Sequence, residues 1–463
     1  MSTASPAEAR LPGTPASRLL GPARTPMFAR SGNRVTGTPE QRPRVISGNR
    51  RVVVVGGGVI GACCSYYLAK RGAAVTVVER DEIGRGASYG NAGTIAPGHG
   101  PINKPGRVKQ ALKSMCDQLS PLYVAPRWDP VLMKWLWQFK NKCTMEHVEH
   151  CMNLLGPLGH ASCELFEQLI SEEALDCGYR QEGYYEIYRS EAALAAVAAE
   201  AELALSHGYR PQALDGGAMR EREPSVNRSV VGAMFFPEAG TVNPHRFVLE
   251  MAARSERHGA TIVSGSRVTE VVIRGGRVGG VRTDDGDELA ASSVVIAAGA
   301  YTPELTLKLG IPLPMQAAKG YHRDRHPAVG RTPALRNTCM LGEKSVFCTP
   351  MDGFVRFAGT LEFSGLNEEI RRPRLEQLTN AAKLYFDGME DDTALSEWCG
   401  LRPCMPDGLP VIGPVPGLDG LFMATGHGML GLTLGPVTGR LVAECVLDGR
   451  PSTELGALSV ARF

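Results

Sequence analysis

Val52-Val53-Val54-Val55 places an apolar side chain at every position rather than at every second one. Such a strand is buried on both faces, as in a parallel sheet covered by other layers. It runs into Gly56-Gly57-Gly58-Val59-Ile60-Gly61, then into a helix-like segment from Ala62 to Arg71 that Gly72 stops. A second apolar strand, Ala74 to Val78, ends at Glu79. From Arg107 to Leu175 the pattern predicts helical segments. Gly183 to Tyr188 and Val231 to Phe236 read as strands, with an Ala-rich helix, Glu191 to Ser206, between them. Asn243-Pro244 opens a helix, Arg246 to His258, that Gly259 ends. A strand, Thr261 to Ser264, precedes a hairpin of Val268 to Ile273 and Val278 to Arg282 around Gly275-Gly276. Ser293 to Ala300 is a second buried strand ending in small residues. Residues 303–396 read as short strands and turns with one helix near Pro373 to Phe386. Leu421 to Ala424 leads through a glycine loop, Thr425 to Gly431, into a helix through Val446.

The opening strand, G-x-G-x-x-G and helix give the glycines physical roles. Gly56 permits the tight turn, Gly58 lets backbone approach a pyrophosphate, and Gly61 lets helix and strand pack closely. The helix start offers amides and positive dipole to phosphates. Glu79, 18 residues past Gly61, is placed to bind a ribose hydroxyl pair. This pattern suits NAD and FAD equally. Glu79 disfavours a 2'-phosphate, although Arg80 keeps NADP in play. Segments of this kind occur at the start, middle and end of the chain, interrupted by two β-rich insertions. The expected domains are therefore 50–175, 244–302 and 397–455 for the nucleotide, and 176–243 with 303–396 for the substrate. The stretch Asp81 to Pro105, with Gly84-Arg85-Gly86-Ala87-Ser88-Tyr89-Gly90-Asn91-Ala92-Gly93, is too long and unpatterned for a plain connection and reads as functional.

At 463 residues the chain can hold two or three domains around a large core. No apolar run of 18 or more occurs, so no spanning helix is expected and any membrane contact is peripheral. Residues 1–50 hold eight Arg and two acids, a balance of +6, so residues 51–463 carry about −4 of the whole chain's +2. That excludes an electrostatic case for nucleic-acid binding. Residues 1–49, rich in Pro, Ser, Gly and Arg, are expected to be disordered. Arg-rich and acid-poor also describes an organelle transit peptide, against which the recurrent prolines speak; a start at Met27 is a plainer reading. The twelve cysteines are scattered and suit reduced thiols in a cytoplasmic enzyme. Cys143, His147, His150 and Cys151 imitate a metal site, but on one helix Cys143 and His150 stand about 10.5 Å apart along the axis. No metal is expected. The aromatic stripe Trp135, Trp137 and Phe139 is expected in the core.

Six motifs in order now carry a resemblance covering roughly residues 50–455: V-V-V-V-G-G-G-V-I-G, Glu79, G-R-G-A-S-Y-G-N-A-G, V-V-I-A-A-G-A-Y-T, W-C-G-L-R-P-C-M-P-D-G-L-P-V-I-G and G-H-G-M-L-G-L-T. The chain resembles the FAD-dependent D-amino-acid oxidase superfamily, most of all its bacterial D-amino-acid dehydrogenase small-subunit type. The implied fold is α/β: a Rossmann-like FAD-binding domain of glutathione-reductase type, with an interleaved antiparallel β-sheet substrate domain of α+β character.

The resemblance implies non-covalent FAD and assigns residues. Gly56, Gly58, Val59, Ile60, Gly61, Glu79 and Arg80 hold the ADP half. Arg85, Gly86, Ala87, Ser88, Asn91, Ala92 and Gly93 wrap the pyrophosphate and ring edge. Val268 lies near the adenine, with Ala298 and Gly299 on the same side. Gly428, Met429 and Gly431 meet the flavin pyrimidine, where a helix start stabilises negative charge. Arg402 grips the amino-acid carboxylate, Tyr321 is a second carboxylate contact or lid residue, and His427 tunes protonation or caps its loop. One of Tyr184 and Tyr185 faces the pocket. The implied reaction removes hydride from the substrate Cα, and the imine hydrolyses to an oxo acid and ammonia; positioning carries much of the rate. Hydroxyproline dehydrogenase and sarcosine-like N-methyl amino-acid oxidase on the same scaffold are alternatives. A non-catalytic, flavin-holding electron-transfer subunit is another. The acceptor is left among quinone, partner flavoprotein and oxygen. The oligomeric state is open, and the expected location is cytoplasmic, peripheral on the inner face of the membrane.

Overall fold

The four valines form the strand Arg51–Val55, third from one edge of a six-stranded sheet. The order is Val411–Pro414, Leu421–Thr425, Ser293–Ile296, Arg51–Val55, Ala74–Glu79 and Thr261–Ser264. All neighbours are parallel except the edge strand Val411–Pro414. Alternate valines divide between two cores. Val52 and Val54 join Leu68, Leu434 and Leu441 under the helices Val59–Lys70 and Gly431–Asp448. Val53 and Val55 join Val271, Val281 and Ile296 under a three-stranded antiparallel sheet, Val268–Arg274, Arg277–Thr283 and Glu288–Ala290. A side-chain period of two sends one continuous apolar run into both layers. The hairpin turn falls at Gly275-Gly276, both at positive φ, as the sequence predicts.

This computed structural model describes residues 50–114, 117–326, 334–389 and 393–463, without the side chains of residues 110 and 112–116. The tail expected to be disordered lies outside the described residues.

A second sheet of nine strands is mainly antiparallel. Its end nearest the glycine loops is made of Ala394–Cys404, Gln316–Arg325 and Phe354–Phe363. These are 11, 10 and 10 residues long, not the short strands expected over residues 303–396. The strand Ala394–Cys404 also crosses the boundary expected at residue 397. Among the helical segments expected from Arg107 to Leu175 lies a strand that was not expected, Leu122–Val124, which pairs in parallel with the end of Phe354–Phe363 through the register Leu361↔Leu122. The helix Arg372–Lys383 covers the far face of this sheet, packing Leu375 and Leu378 against Tyr321 and Phe357. The described residues from Arg50 to Phe463 form one compact unit holding both sheets.

Candidate functional site

Two of the longer helices begin at the same cavity, and neither has a side chain capping its start. These are Val59–Lys70, entered through Gly58, and Gly431–Asp448, entered through Leu430. Five helices elsewhere begin on a side-chain cap from Asp129, Thr144, Ser190, Asp215 or Asn243. Helix starts leave amides without intrahelical partners, which ligands can satisfy. Of these amides, Val59 N donates to Ser88 Oγ at 2.9 Å. The cavity measures ≈ 1430 Å³, above the range of about 300–1,000 Å³ that suits one drug-sized ligand. It has room for a dinucleotide and a small substrate.

The glycines of the first turn have the geometry the motif requires. Gly56 has φ +107, and a Cβ there would come within 2.5 Å of Ala297 O. At Gly58 the nearest atom to a Cβ would be Ser88 Oγ at 3.3 Å. Gly61 is off the cavity wall, and a Cβ there would overlap Gly56 O, so its role is packing helix on turn. Glu79 lines the cavity with its carboxylate fixed by two backbone amides, Gly57 N at 2.6 Å and Asp81 N at 3.0 Å. A carboxylate has about four acceptor sites, so lone pairs remain for a ribose. Arg80 lies 3.8 Å above the Tyr301 ring.

Val59, Ile60, Arg80, Arg85, Gly86, Ala87, Ser88, Asn91 and Ala92 all reach the wall, as do Val268, Ala298 and Gly299. Gly93 does not. It has φ +73, and a Cβ would approach Val242 O within 2.4 Å, so it serves the fold of the loop rather than the ligand. Gly428, Met429 and Gly431 line the wall beside the second helix start. Gly428 has φ +55 with no atom within 4 Å of a Cβ. Two uncapped helix starts, an oriented carboxylate and glycines facing open space fit an elongated dinucleotide.

The register of the second sheet explains the other end of the cavity. Ala318 stands opposite Arg402, Gly320 opposite Gly400, and His322 opposite Trp398. Residues directly opposite share a face. On this face the Arg402 guanidinium lies across Gly320, where a Cβ would overlap Nη1, Cζ and Nη2. Nη1 donates to Thr360 O at 2.8 Å. Burial pulls the guanidinium below its ordinary pKa, with the Cys404 thiol acting in the opposite sense. No carboxylate among the described residues forms an ion pair with it.

Tyr321 belongs to the other face. It borders the cavity, but its side chain is in the core with Leu375, and its hydroxyl donates to Glu362 Oε2 at 2.9 Å. Alternation along the strand explains the difference from the expected carboxylate contact. His427 reaches the wall, with Nε2 at 3.0 Å from Thr438 Oγ1 and no partner at Nδ1. Burial lowers its pKa to about 3. It is therefore a neutral ring rather than a cation at physiological pH. Neither Tyr184 nor Tyr185 is on the wall: Tyr184 and Tyr188 donate to buried Glu186, while Tyr185 stacks on Phe235.

The aromatic stripe divides. Trp135 and Phe139 are buried and stacked, whereas Trp137 is 64% exposed; all three border the cavity. Cys143 precedes the helix Met145–Glu173, and His147 and Cys151 turn to Asp407 O. No group of potential metal ligands occurs among the described residues.

Three site features escaped the sequence reading. Trp398 stacks on buried His322 at 5.3 Å, and Gly90 leaves room for both rings. His99 reaches the wall, and its pKa is lowered to about 4 by burial, then by Lys104 and Arg107. Thr360, at φ +64, is one of three non-glycine residues at positive φ among the described residues. A second, Ser345 at φ +52, accepts from Thr360 N at 3.4 Å, and both border the cavity. Such a conformation costs a β-branched residue about 1–3 kcal/mol. Trp398 opens the W-C-G-L-R-P motif, which the sequence reading used without giving the tryptophan a role. Nothing in Ala358-Gly359-Thr360-Leu361 signals the left-handed residue.

Comparison with known proteins agrees with this geometry. The family model described as FAD dependent oxidoreductase matches residues 51–445. A second, described as pyridine nucleotide-disulphide oxidoreductase, matches residues 4–90. A curated D-amino acid dehydrogenase of Xanthobacter autotrophicus is 34% identical over 401 residues, covering 86% of this chain and 95% of that protein. Glycine oxidase from Geobacillus kaustophilus superposes with a TM-score of 0.69 at 25% identity, over 89% of this chain and 99% of that one. L-proline dehydrogenase from P. horikoshii gives 0.69 at 19% identity, over 90% and 98%, which is a likeness of fold. The glycine turns, the paired helix starts and the family match agree: the chain belongs to the FAD-dependent oxidoreductase family.

Proposed function

We propose that the protein is an FAD-dependent dehydrogenase that oxidises the carbon–nitrogen bond of a D-amino acid, releasing an imine that hydrolyses to a 2-oxo acid and ammonia. The observation that carries this reading is Arg402: a half-buried guanidinium on the cavity wall with no carboxylate counter-ion among the described residues. A substrate carboxylate supplies the missing charge, and the planar fork fixes its orientation. The curated relatives named D-amino acid dehydrogenase support the substrate class.

Gly56, Gly58, Glu79 and the loop from Arg85 to Ala92 would hold the ADP half and pyrophosphate, with Gly428 to Gly431 at the flavin ring. Bound FAD supplies a two-electron acceptor for the substrate's Cα hydride. The chain's own residues bind, orient and exclude water. Arg402 anchors the carboxylate, Trp398 and Leu401 wall the pocket, and neutral His427 adds no positive charge that would compete with Arg402 for it. Non-covalent attachment is supported by Cys399, whose thiol donates to Glu368 O and is pushed up to about 11 by burial, so it is not a ready nucleophile. The test is an anaerobic screen of D-, L- and N-methyl amino acids and prolines, read by bleaching of bound flavin. Bleaching by D-amino acids supports the reading; bleaching only by N-methyl substrates or prolines overturns it.

The acceptor side is proposed to be a lipid surface carrying a quinone. The helix Pro130–Asn141 turns Trp135 and Phe139 inward and Val131, Met133 and Trp137 outward, next to Trp128, which is 86% exposed. Lys134 and Lys140 share the exposed face. Exposed tryptophan and lysine suit an anionic interface, and Trp137 and Lys140 reach the cavity wall. No helix among the described residues is long and apolar enough to cross a membrane.

A further inference from the structure

Arg402 is held by a carbonyl that a regular sheet would not have offered it. Between the pairs Tyr321↔Gly359 and Lys319↔Glu362 the register slips. Thr360 and Leu361 stand opposite the single residue Gly320. In an unbroken ladder the Thr360 carbonyl would be occupied by a neighbouring strand. At a bulge the extra residue leaves the ladder and re-aims its groups. Here the carbonyl accepts from Arg402 Nη1 at 2.8 Å. The bulge is built on Thr360 at φ +64, although glycine is the residue that adopts this conformation freely. Thr360 N is tied to Ser345 O, and Ser345 is itself left-handed at φ +52. Two non-glycine left-handed residues therefore face each other across adjoining strands, both at the cavity and one of them touching the guanidinium. Strain of this kind persists only where its surroundings over-determine it.

We propose that Thr360 is a positioning residue for the carboxylate site: its left-handed bulge holds the backbone carbonyl against Nη1 and fixes the Arg402 fork in one plane above Gly320. The agent is the backbone. Thr360 Oγ1 is buried without a partner, and the hydroxyl is not part of the device. A fork free to rotate would still attract an anion but would hold it more weakly, having given up the paired, coplanar bonds. This inference rests on the reading that Arg402 binds the substrate carboxylate.

The test uses the FAD-loaded full chain. Substrates are the best D-amino acid of the anaerobic screen and its amide, which lacks the carboxylate. Propionate serves as a simple carboxylate ligand, followed by the change it makes in the flavin spectrum. Thr360→Gly keeps a residue that accepts φ +64 but opens other backbone conformations to the bulge, so folding and flavin content are expected to hold. KM for the acid and the dissociation constant for propionate should rise about tenfold, with kcat within about twofold and the amide unaffected. Thr360→Val keeps the β-branch and lacks only the hydroxyl, and should raise KM for the acid less than Thr360→Gly does. Three outcomes overturn the proposal. Thr360→Gly could bind acid and propionate as tightly as wild type while Arg402→Ala does not. Thr360→Gly could lose acid and amide equally, which would mark a merely structural role. Thr360→Val could lose as much as Thr360→Gly, which would move the role to the hydroxyl. If Arg402→Ala itself leaves the preference for acid over amide intact, the carboxylate reading falls and this inference falls with it.

Discussion

At the scale of single residues, the site depends on what Arg402 lacks and on what Gly320 leaves empty. Truncating a buried charge that contacts a ligand costs about 2–5 kcal/mol, or roughly 30- to several-thousand-fold in kcat/KM. Arg402→Ala should therefore lose reduction by amino acids while keeping FAD, and Arg402→Lys should recover only part, since an ammonium cannot reproduce the fork. Steady-state kinetics beside flavin content checks both. Gly320→Ala probes the same contact without touching the charge. The new Cβ would overlap the guanidinium, so the fork must leave its plane. The expected result is a higher KM for the acid, little change for its amide, and full flavin occupancy. Equal kinetics for Gly320→Ala and wild type would show that the observed plane of the guanidinium is not the productive one. Tyr321 gives the contrasting case. Its hydroxyl is bonded to Glu362 on the far face, so Tyr321→Phe should leave KM nearly unchanged and act on stability.

At the scale of elements, the loop from Gly84 to Gly93 joins the two sheets. Arg356 holds it through the carbonyls of Tyr89 and Asn91, while forming a paired bond with Asp324 at 2.8 Å from each nitrogen. Gly90 packs on His322 and Trp398, where a Cβ would overlap both rings. Gly90→Val should push the loop off the second sheet and yield protein poor in flavin, measured as the ratio of flavin to protein absorbance. The nucleotide half of this architecture was legible because a strand buried on both faces, a glycine turn and a terminal acid are each written in neighbouring residues. Arg402 was legible through its motif. The bulge at Thr360, the face on which Tyr321 lies and the pairing of Leu122–Val124 with Phe354–Phe363 were not. Each depends on strand register between segments far apart in the chain, and a one-residue slip would reverse it. The exposed side of the helix Pro130–Asn141 was hidden for a related reason: an aromatic stripe says that a face is apolar, not which residues a neighbour covers. Replacing Trp128 and Trp137 by Ser should release the protein from anionic vesicles in a sedimentation assay and leave dye-linked turnover intact. Equal sedimentation of variant and wild type would refute the lipid contact at this helix.

At the scale of the whole molecule, burial of histidine links stability to pH. His322 and His427 are both enclosed, and burial lowers their pKa values to about 4 and about 3. His322 also feels Arg356, which lowers it further, against Asp324, which raises it. In the unfolded chain both return to about 6.5. Between these limits the unfolded state binds more protons than the folded one, so stability rises with pH across the window and falls on acidification. Above about pH 7.5 both rings are neutral in either state and the dependence from this source ends. The expected measurement is a Tm that drops steadily from pH 6.5 toward pH 4.5, with unfolding taking up to about two protons from these groups at the acid end. His427→Gln removes one of them and should flatten the slope by about one proton, while His322→Gln, which also loses the contact to Gly90 O, should flatten the slope and lower stability at neutral pH as well. If both variants keep the wild-type slope, these two histidines are not the linked groups.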